Sequence, residues 1–158
     1  VAKYAYNIPA VHAAEAAAEA AKDLPFILTA RSENFITGNP DLADTIKRLH
    51  AFSEAGAHVL YAPGLSDLEM IRTVCAEVDK PVNVVMGLQG AVFSVDDLSA
   101  AGVARISTGG SLARAALGAL MRAGEEMRTQ GTFTYADAAM PNDVAKGYMA
   151  GGGLVDRD

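Results

Sequence analysis

An α/β protein made of repeated strand-then-helix units is the fold that this sequence predicts, and three observations predict it. Short apolar runs begin near residues 26, 58, 82 and 105. Each is followed by a segment with helical periodicity and recognisable caps. The runs start 32, 24 and 23 residues apart, the length of a strand, a helix and two short loops. A strand that is followed each time by a helix returns parallel to its predecessor, so the sheet is expected to be parallel. Two architectures take four such units: a small doubly wound sheet, and half of a (β/α)8 TIM barrel. The repeat length favours the barrel, whose eight units fill about 250 residues.

The elements follow in order. "AVHAAEAAAEAAKD" is helical by its alanine and glutamate content. Phe26–Ala30 is apolar except for Thr29, as a strand covered on both faces would be. In "DLADTIKRLHAFSEA" (41–55), Leu42, Ile46, Leu49 and Phe52 fall near one helical face; Asp41 is placed to cap it and Gly56 to end it. "HVLYAP" (58–63) is the second strand. "SDLEMIRTVCAEVD" (66–79) is a helix in which Ser66 and Glu69 have capping-box spacing. "PVNVVMG" (81–87) is the third strand, "SVDDLSAAG" (94–102) a short helix ending in glycine, and "ARISTGG" (104–110) the fourth strand. A long helix is expected over 111–131, then two short helices near 135–139 and 141–149. The expected strands are 26–31, 58–62, 82–86 and 104–108. The expected domains are a half-barrel over 1–131 and a helical tail over 132–158.

Composition narrows the function. With 51 % hydrophobic and 20 % charged residues the 158-residue chain can bury a sizeable core. A formal net charge of −6 argues against nucleic acid as a partner, because phosphate binding needs clustered lysine and arginine. No apolar run is long enough for a membrane span, and the opening residues have no signal-peptide pattern. A single cysteine, Cys75, forms neither an internal disulfide nor a multi-cysteine zinc site. A cytoplasmic protein is the expectation. The chain opens on Val1, without Met, close to an alanine-rich helix, so a piece of a longer polypeptide is expected.

In both architectures ligands bind at the carboxyl ends of the strands. Arg31, Glu33 and Asn34 follow the first strand, and Tyr61 lies near the end of the second. Asn83 is inside the third; Ser107 and Thr108 close the fourth. Arg31 carries a permanent planar charge that matches a carboxylate or phosphonate; its alternative role is a structural ion pair. Glu33 is a general base or the group that orients Arg31. Asn34 is a ligand contact or a turn residue. "STGGSLARA" (107–115) has the make-up of a phosphate cradle, or of a tight turn in which Ser111 caps a helix. His12, His50 and His58 lie away from the expected rim and read as structural or exposed. Cys75 sits on a helix stripe and reads as core. Asp96 and Asp97 suit the start of a helix.

"FILTARSENF", "GNPDLADTIKRLHAFSEAGAHVLYAPG", "KPVNVVMG" and "GVARISTGGSLARAALGAL" resemble, in order and spacing, the second half of the isocitrate lyase/phosphoenolpyruvate mutase superfamily. The similarity covers roughly residues 10–130. It implies that the chain supplies the last four βα units of a TIM barrel. It implies Mg2+ as cofactor and small α-keto or α-hydroxy carboxylates as substrates. The implied chemistry makes or breaks C–C or P–C bonds through an enolate-like intermediate. Arg31 matches the arginine that grips the substrate's anionic group in that family. Catalytic Arg31 and Glu33, with substrate contacts from Arg31, Asn34, Tyr61, Asn83 and Ser107, make up the expected site. The family's metal-associated acids and its Lys-Cys-Gly-His loop belong to earlier strands, so metal ligands are expected upstream. Cys75 does not match that loop, and Asn83 is displaced toward the amino end of its strand. The phosphonomutase-like or lyase-like branch is the nearest in form. The family also implies a homotetramer with exchange of a helix between subunits. The alternative from another class is a non-catalytic half-barrel that binds an anion or pairs with another chain.

Overall fold

The structure, a computed structural model, describes residues 9–150 apart from Gln89 and Ala91. The element order is α1 (Pro9–Ala21), β1 (Thr29–Arg31), α2 (Leu42–Glu54), β2 (Val59–Tyr61), α3 (Leu68–Glu77), β3 (Val82–Val85), α4 (Val95–Ala100), β4 (Arg105–Ser107), α5 (Ser111–Gln130), a 3-10 turn (Thr134–Ala138) and α6 (Asn142–Met149). The described residues up to Ser111 form one compact unit and those from Leu112 on a second.

In the first unit the four strands make one parallel sheet in the order β1-β2-β3-β4. That order separates the two candidate architectures. A doubly wound sheet reverses its strand order at a switch point, whereas a (β/α)8 barrel lays each strand beside the one before it. The parallel pairing expected from the repeat is therefore what the chain adopts, in barrel order.

Strand alternation gives the sheet two unlike faces. Ala30, Leu60, Val82 and Val84 turn to one side and join a buried core with Leu49 and Phe52 of α2, Ile71 and Val74 of α3, and Leu98 of α4. The residues between them turn to the other side. The helices pack only because each carries an apolar stripe at helical spacing. Leu60, fully buried in the middle of the sheet, is central to this core.

The helix ends follow local rules. The Asp41 carboxylate accepts from Asp44 N at 2.9 Å to cap α2. The Ser94 hydroxyl accepts from Asp97 N while the Asp97 carboxylate accepts from Ser94 N, a complete capping box on α4; the Ser94 bonds hold the Asp97 carboxyl below its usual range. At α3 the cap is Asp67, not Ser66. Its carboxylate accepts from Met70 N at 2.8 Å, and Glu69 pairs with Arg72 instead of closing a box. Adjacent Ser and Asp are equivalent cap formers by type, and the helix starts one residue later than the spacing predicts. Accordingly Asp67→Ala is expected to lower unfolding stability by about 1 kcal/mol, and Ser66→Ala by only a few tenths. Urea unfolding of the two variants checks this.

The first strand is shorter than the expected 26–31. Phe26 and Ile27 are 55 % and 69 % exposed and precede β1. The ladder ends at Leu28, whose N–H donates to His58 Nδ1 at 3.0 Å while its carbonyl accepts from the N–H groups of His58 and Val59. A side chain thus takes the donor at this end of β1. The structural role expected of His58 is this bond.

In the second unit α5 has no buried residue. Glu126 ties its later half to the turn that follows: its carboxylate accepts from the Thr132 hydroxyl at 2.8 Å, from Thr134 N at 2.5 Å and from Tyr135 N at 3.1 Å. These bonds, that from Thr132 first, hold the Glu126 carboxyl below its ordinary range. Both short helices expected after α5 are present, the first as the 3-10 turn.

Candidate active site

The sheet register puts the polar residues of the first unit in one row. Arg31 pairs with Tyr61, Tyr61 with Asn83, and Asn83 with Arg105. Register partners in a parallel sheet point to the same side, so all four lie on the face away from the packed helices. Ser107, two residues beyond Arg105, shares that face.

Arg31 is held from two directions. Its Nε lies 2.7 Å from Glu33 Oε1, and its guanidinium carbon is 5.0 Å from the centre of the Tyr61 ring. The ion pair uses Nε and leaves the terminal amino groups for another partner. Burial pushes the Tyr61 phenol above its usual range, with Arg31 opposing and Glu33 reinforcing the shift, so at neutral pH Tyr61 is a neutral hydroxyl.

The loop after β1 is locked from beneath. The buried Ser32 donates its hydroxyl to Asn34 Oδ1 at 3.0 Å, Asn34 Nδ2 donates to Asp44 at 2.7 Å, and Arg48 Nε donates to the same Asp44 oxygen at 2.7 Å. Ser32 N also donates to Tyr61 O at 2.9 Å, tying the loop to the end of β2. Asn34 is nearly fully buried and both ends of its amide are engaged inside the protein. A cavity of about 220 Å³ opens beside this loop, lined by Arg31, Ser32, Glu33, Asn34 and Arg48 among others. A larger one of about 450 Å³, lined by His50, Ser53 and Asp79, lies at the carboxyl ends of α2 and α3 and so at the amino end of the sheet.

Asn83 is also buried and doubly engaged. Its Nδ2 donates to Ser107 Oγ at 3.0 Å, and its Oδ1 accepts from Arg105 Nη1 at 2.7 Å. It joins β3 to β4 and fixes the direction of both neighbours. Arg105 was not among the residues that the sequence singled out. The signal for it was the alternation: a residue two before Ser107 must share its face. In the turn after β4, Gly109 adopts a φ of 52°, the left-handed region that the tight-turn reading of "STGG" requires. Partial burial against the core pushes the Cys75 thiol up, which disfavours the thiolate form.

A family model described as phosphoenolpyruvate phosphomutase matches residues 4–128. The chain belongs to this family. Among solved structures, this phosphomutase-family chain is 54 % identical to one described as a lyase/mutase from Burkholderia cenocepacia J2315, with a TM-score of 0.83 over 89 % of this chain and 52 % of that one. It is 30 % identical to one described as a phosphonomutase from the same organism, with a TM-score of 0.65 over 77 % of this chain and 50 % of that one. Phosphoenolpyruvate phosphomutase from Streptomyces platensis subsp. rosaceus, 22 % identical, shares the fold with a TM-score of 0.73 over 90 % of this chain and 50 % of that one. No curated protein matches. The phosphomutase-family chain spans about half the length of these solved structures. Its four sequential βα units are the corresponding share of an eightfold barrel. The resemblance read from the motifs thus holds for family and fold. Among the described residues, no helix is long and apolar enough to cross a membrane.

Proposed function

We propose that the chain supplies the anion-gripping half of the active site of a carbon–carbon lyase or phosphonomutase-like enzyme acting on small α-keto or α-hydroxy carboxylates. The observation that carries this reading is Arg31 at the carboxyl end of β1, pinned through Nε to Glu33 and lying over the Tyr61 ring. A guanidinium held in this way loses little freedom when it meets a carboxylate or phosphonate, and it offers two parallel donors. Glu33 serves here as the group that orients Arg31. Tyr61 offers a neutral hydroxyl beside the same position, and Ser107, set by Asn83, offers another farther along the sheet. As charge develops on an enolate-like oxygen, such fixed donors stabilise it without having to reorganise.

Mg2+ belongs to this reading through the family resemblance. Among the described residues, no group of three or more His, Cys, Asp or Glu side chains converges to hold a metal. The described residues therefore do not fit the ion, and their share of the chemistry is to bind and orient the substrate. Association into oligomers is also part of the proposal. It is supported by α5, where Leu112, Leu117, Leu120 and Met121 are all exposed within a helix that buries nothing.

Turnover of a panel of α-keto and α-hydroxy acids by the intact protein, with and without a chelator, tests the proposal. C–C or P–C bond cleavage that is lost on chelation and restored by Mg2+ is expected. Anion binding without turnover of any panel member would favour the non-catalytic half-barrel instead.

A further inference from the structure

The alternation of β1 runs on past its last residue. Arg31 and Glu33 stay accessible, while Ser32 and Asn34 are buried. An exposed layer, the Arg31–Glu33 ion pair, thus lies over a buried layer of hydrogen bonds. The turn that Asn34 opens closes on its own backbone: Thr37 N donates to Glu33 O at 3.0 Å and Asn39 N to Asn34 O at 2.9 Å. The Asn34 side chain is therefore not what closes the turn, the usual task of an asparagine at such a place. Its amide reaches out of the turn. Nδ2 donates to Asp44 Oδ2 at 2.7 Å in the first turn of α2, and Arg48 Nε holds the same oxygen at 2.7 Å. The other end accepts from Ser32 Oγ at 3.0 Å. A hydroxyl donor on one side and a carboxylate acceptor on the other call for a group that accepts at one end and donates at the other. An amide does both; a carboxylate in its place would face Asp44 with like charge.

We propose that Asn34 is a positioning residue that aims Arg31, acting through Glu33, and that it is not itself a ligand contact. The bond to Asp44 ties residue 34 to α2. Ser32 N, donating to Tyr61 O at 2.9 Å, ties residue 32 to the end of β2. Glu33 is the residue between these two anchors. With its backbone fixed on both sides, its carboxylate has a fixed place from which to hold Arg31 Nε. Release of the Asn34 anchor frees the self-closed turn to move as one body, and the Glu33 carboxylate moves with it. Arg31 then keeps its charge and its contact with the Tyr61 ring but loses its direction. A two-pronged grip on an anion depends on direction as well as on charge, so a buried amide governs binding from beneath the site. The inference rests on the reading of Arg31 given above and deepens it by naming what sets that residue's aim.

The test uses the intact protein and its Asn34→Asp, Asn34→Ala and Asp44→Ala variants, each well below its melting temperature. Two quantities are read: the rate of hydrogen exchange at the Arg31 Nε–H by NMR, and the affinity for pyruvate, a small α-keto carboxylate, by calorimetry. Asn34→Asp is the decisive variant. It keeps the size and the turn preference of the residue and replaces the donor to Asp44 with an acceptor. It is expected to speed exchange at the Arg31 Nε–H at least about fivefold over the wild type and to weaken pyruvate binding about tenfold. Asn34→Ala and Asp44→Ala cut the same bond from either end and are expected to match it in both readouts, so the test stands even where one variant fails to fold. A residue that only shapes the turn or fills the core would lower the melting temperature and leave exchange and affinity as in the wild type. That outcome overturns the inference, and so does a wild type whose Arg31 Nε–H exchanges as fast as that of a free guanidinium. Faster exchange in the variants, with no binding of pyruvate by the wild type, would uphold the link from Asn34 to Arg31 and overturn the anion-gripping reading of Arg31.

Discussion

Arg31→Lys is expected to lower kcat/KM of the intact enzyme by about 10²-fold, equivalent to about 3 kcal/mol of transition-state stabilisation, with the fold left in place. The substitution keeps the charge and removes the fork. A lysine ammonium in the same place either stays with Glu33 or turns to a ligand, whereas a guanidinium that holds Glu33 through Nε at 2.7 Å keeps its terminal amino groups for a second partner. The cost to stability is small because the ion pair is roughly half exposed on both sides, 49 % for Arg31 and 43 % for Glu33. Such a pair contributes at most about 1 kcal/mol, and the cation–π contact with Tyr61 adds a similar amount or less. Steady-state kinetics and a thermal melt on one purified variant decide the matter. Wild-type kinetics with a depressed melting temperature would make Arg31 a structural residue.

Leu60→Ala should produce the opposite pattern, a loss of about 3 kcal/mol in unfolding free energy and a melting temperature lower by about 10 °C. Leu60 is fully buried in the second of four strands, with Ala30 and Val82 as its register partners and the helices above it. Truncation there removes packed methyl groups at a site walled by backbone on both sides, which has little room to collapse. Val95→Ala, at a position 69 % exposed at the start of α4, should change stability by no more than about 0.5 kcal/mol. Equal losses at the two positions, read by chemical denaturation, would show that the packed face of the sheet is misassigned.

The four-strand parallel arrangement was legible because each apolar run is separated from the next by a capped amphipathic helix, and chain connectivity then leaves few choices. The start of the first strand was not legible. Phe26 and Ile27 have strand composition, but strand length is set by hydrogen-bond partners, and His58, thirty residues away from Leu28, takes the donor that would have extended the ladder. The α3 cap was ambiguous because Ser66 and Asp67 offer the same kind of oxygen at adjacent positions. Arg31 and Tyr61 were legible as residues at strand ends, and the register sets them side by side. Arg105 was not singled out, although alternation from Ser107 already put it on the same face; its register with Asn83 then brings it into the row. The internal engagement of Asn34 and Asn83 depends on Asp44, Ser107 and Arg105, which sequence distance alone does not place beside them.

The alternation of the sheet has a consequence for how this protein can change over generations. Neighbouring codons in each strand answer to different demands: Ala30 is constrained by volume and Arg31 by charge, Leu60 by volume and Tyr61 by its ring and hydroxyl, Val82 by volume and Asn83 by its amide. Point substitutions at every second position can therefore vary the polar row without disturbing the packing beneath. Insertions and deletions have no such freedom. One added residue before β4 would carry the Arg105 cation into the packed side and bring Ile106 out into the polar row, disrupting both faces in a single event. Length variation among descendants of this chain should thus collect in the loops between strands and helices, while the strands diverge only by replacement, every other residue at its own rate.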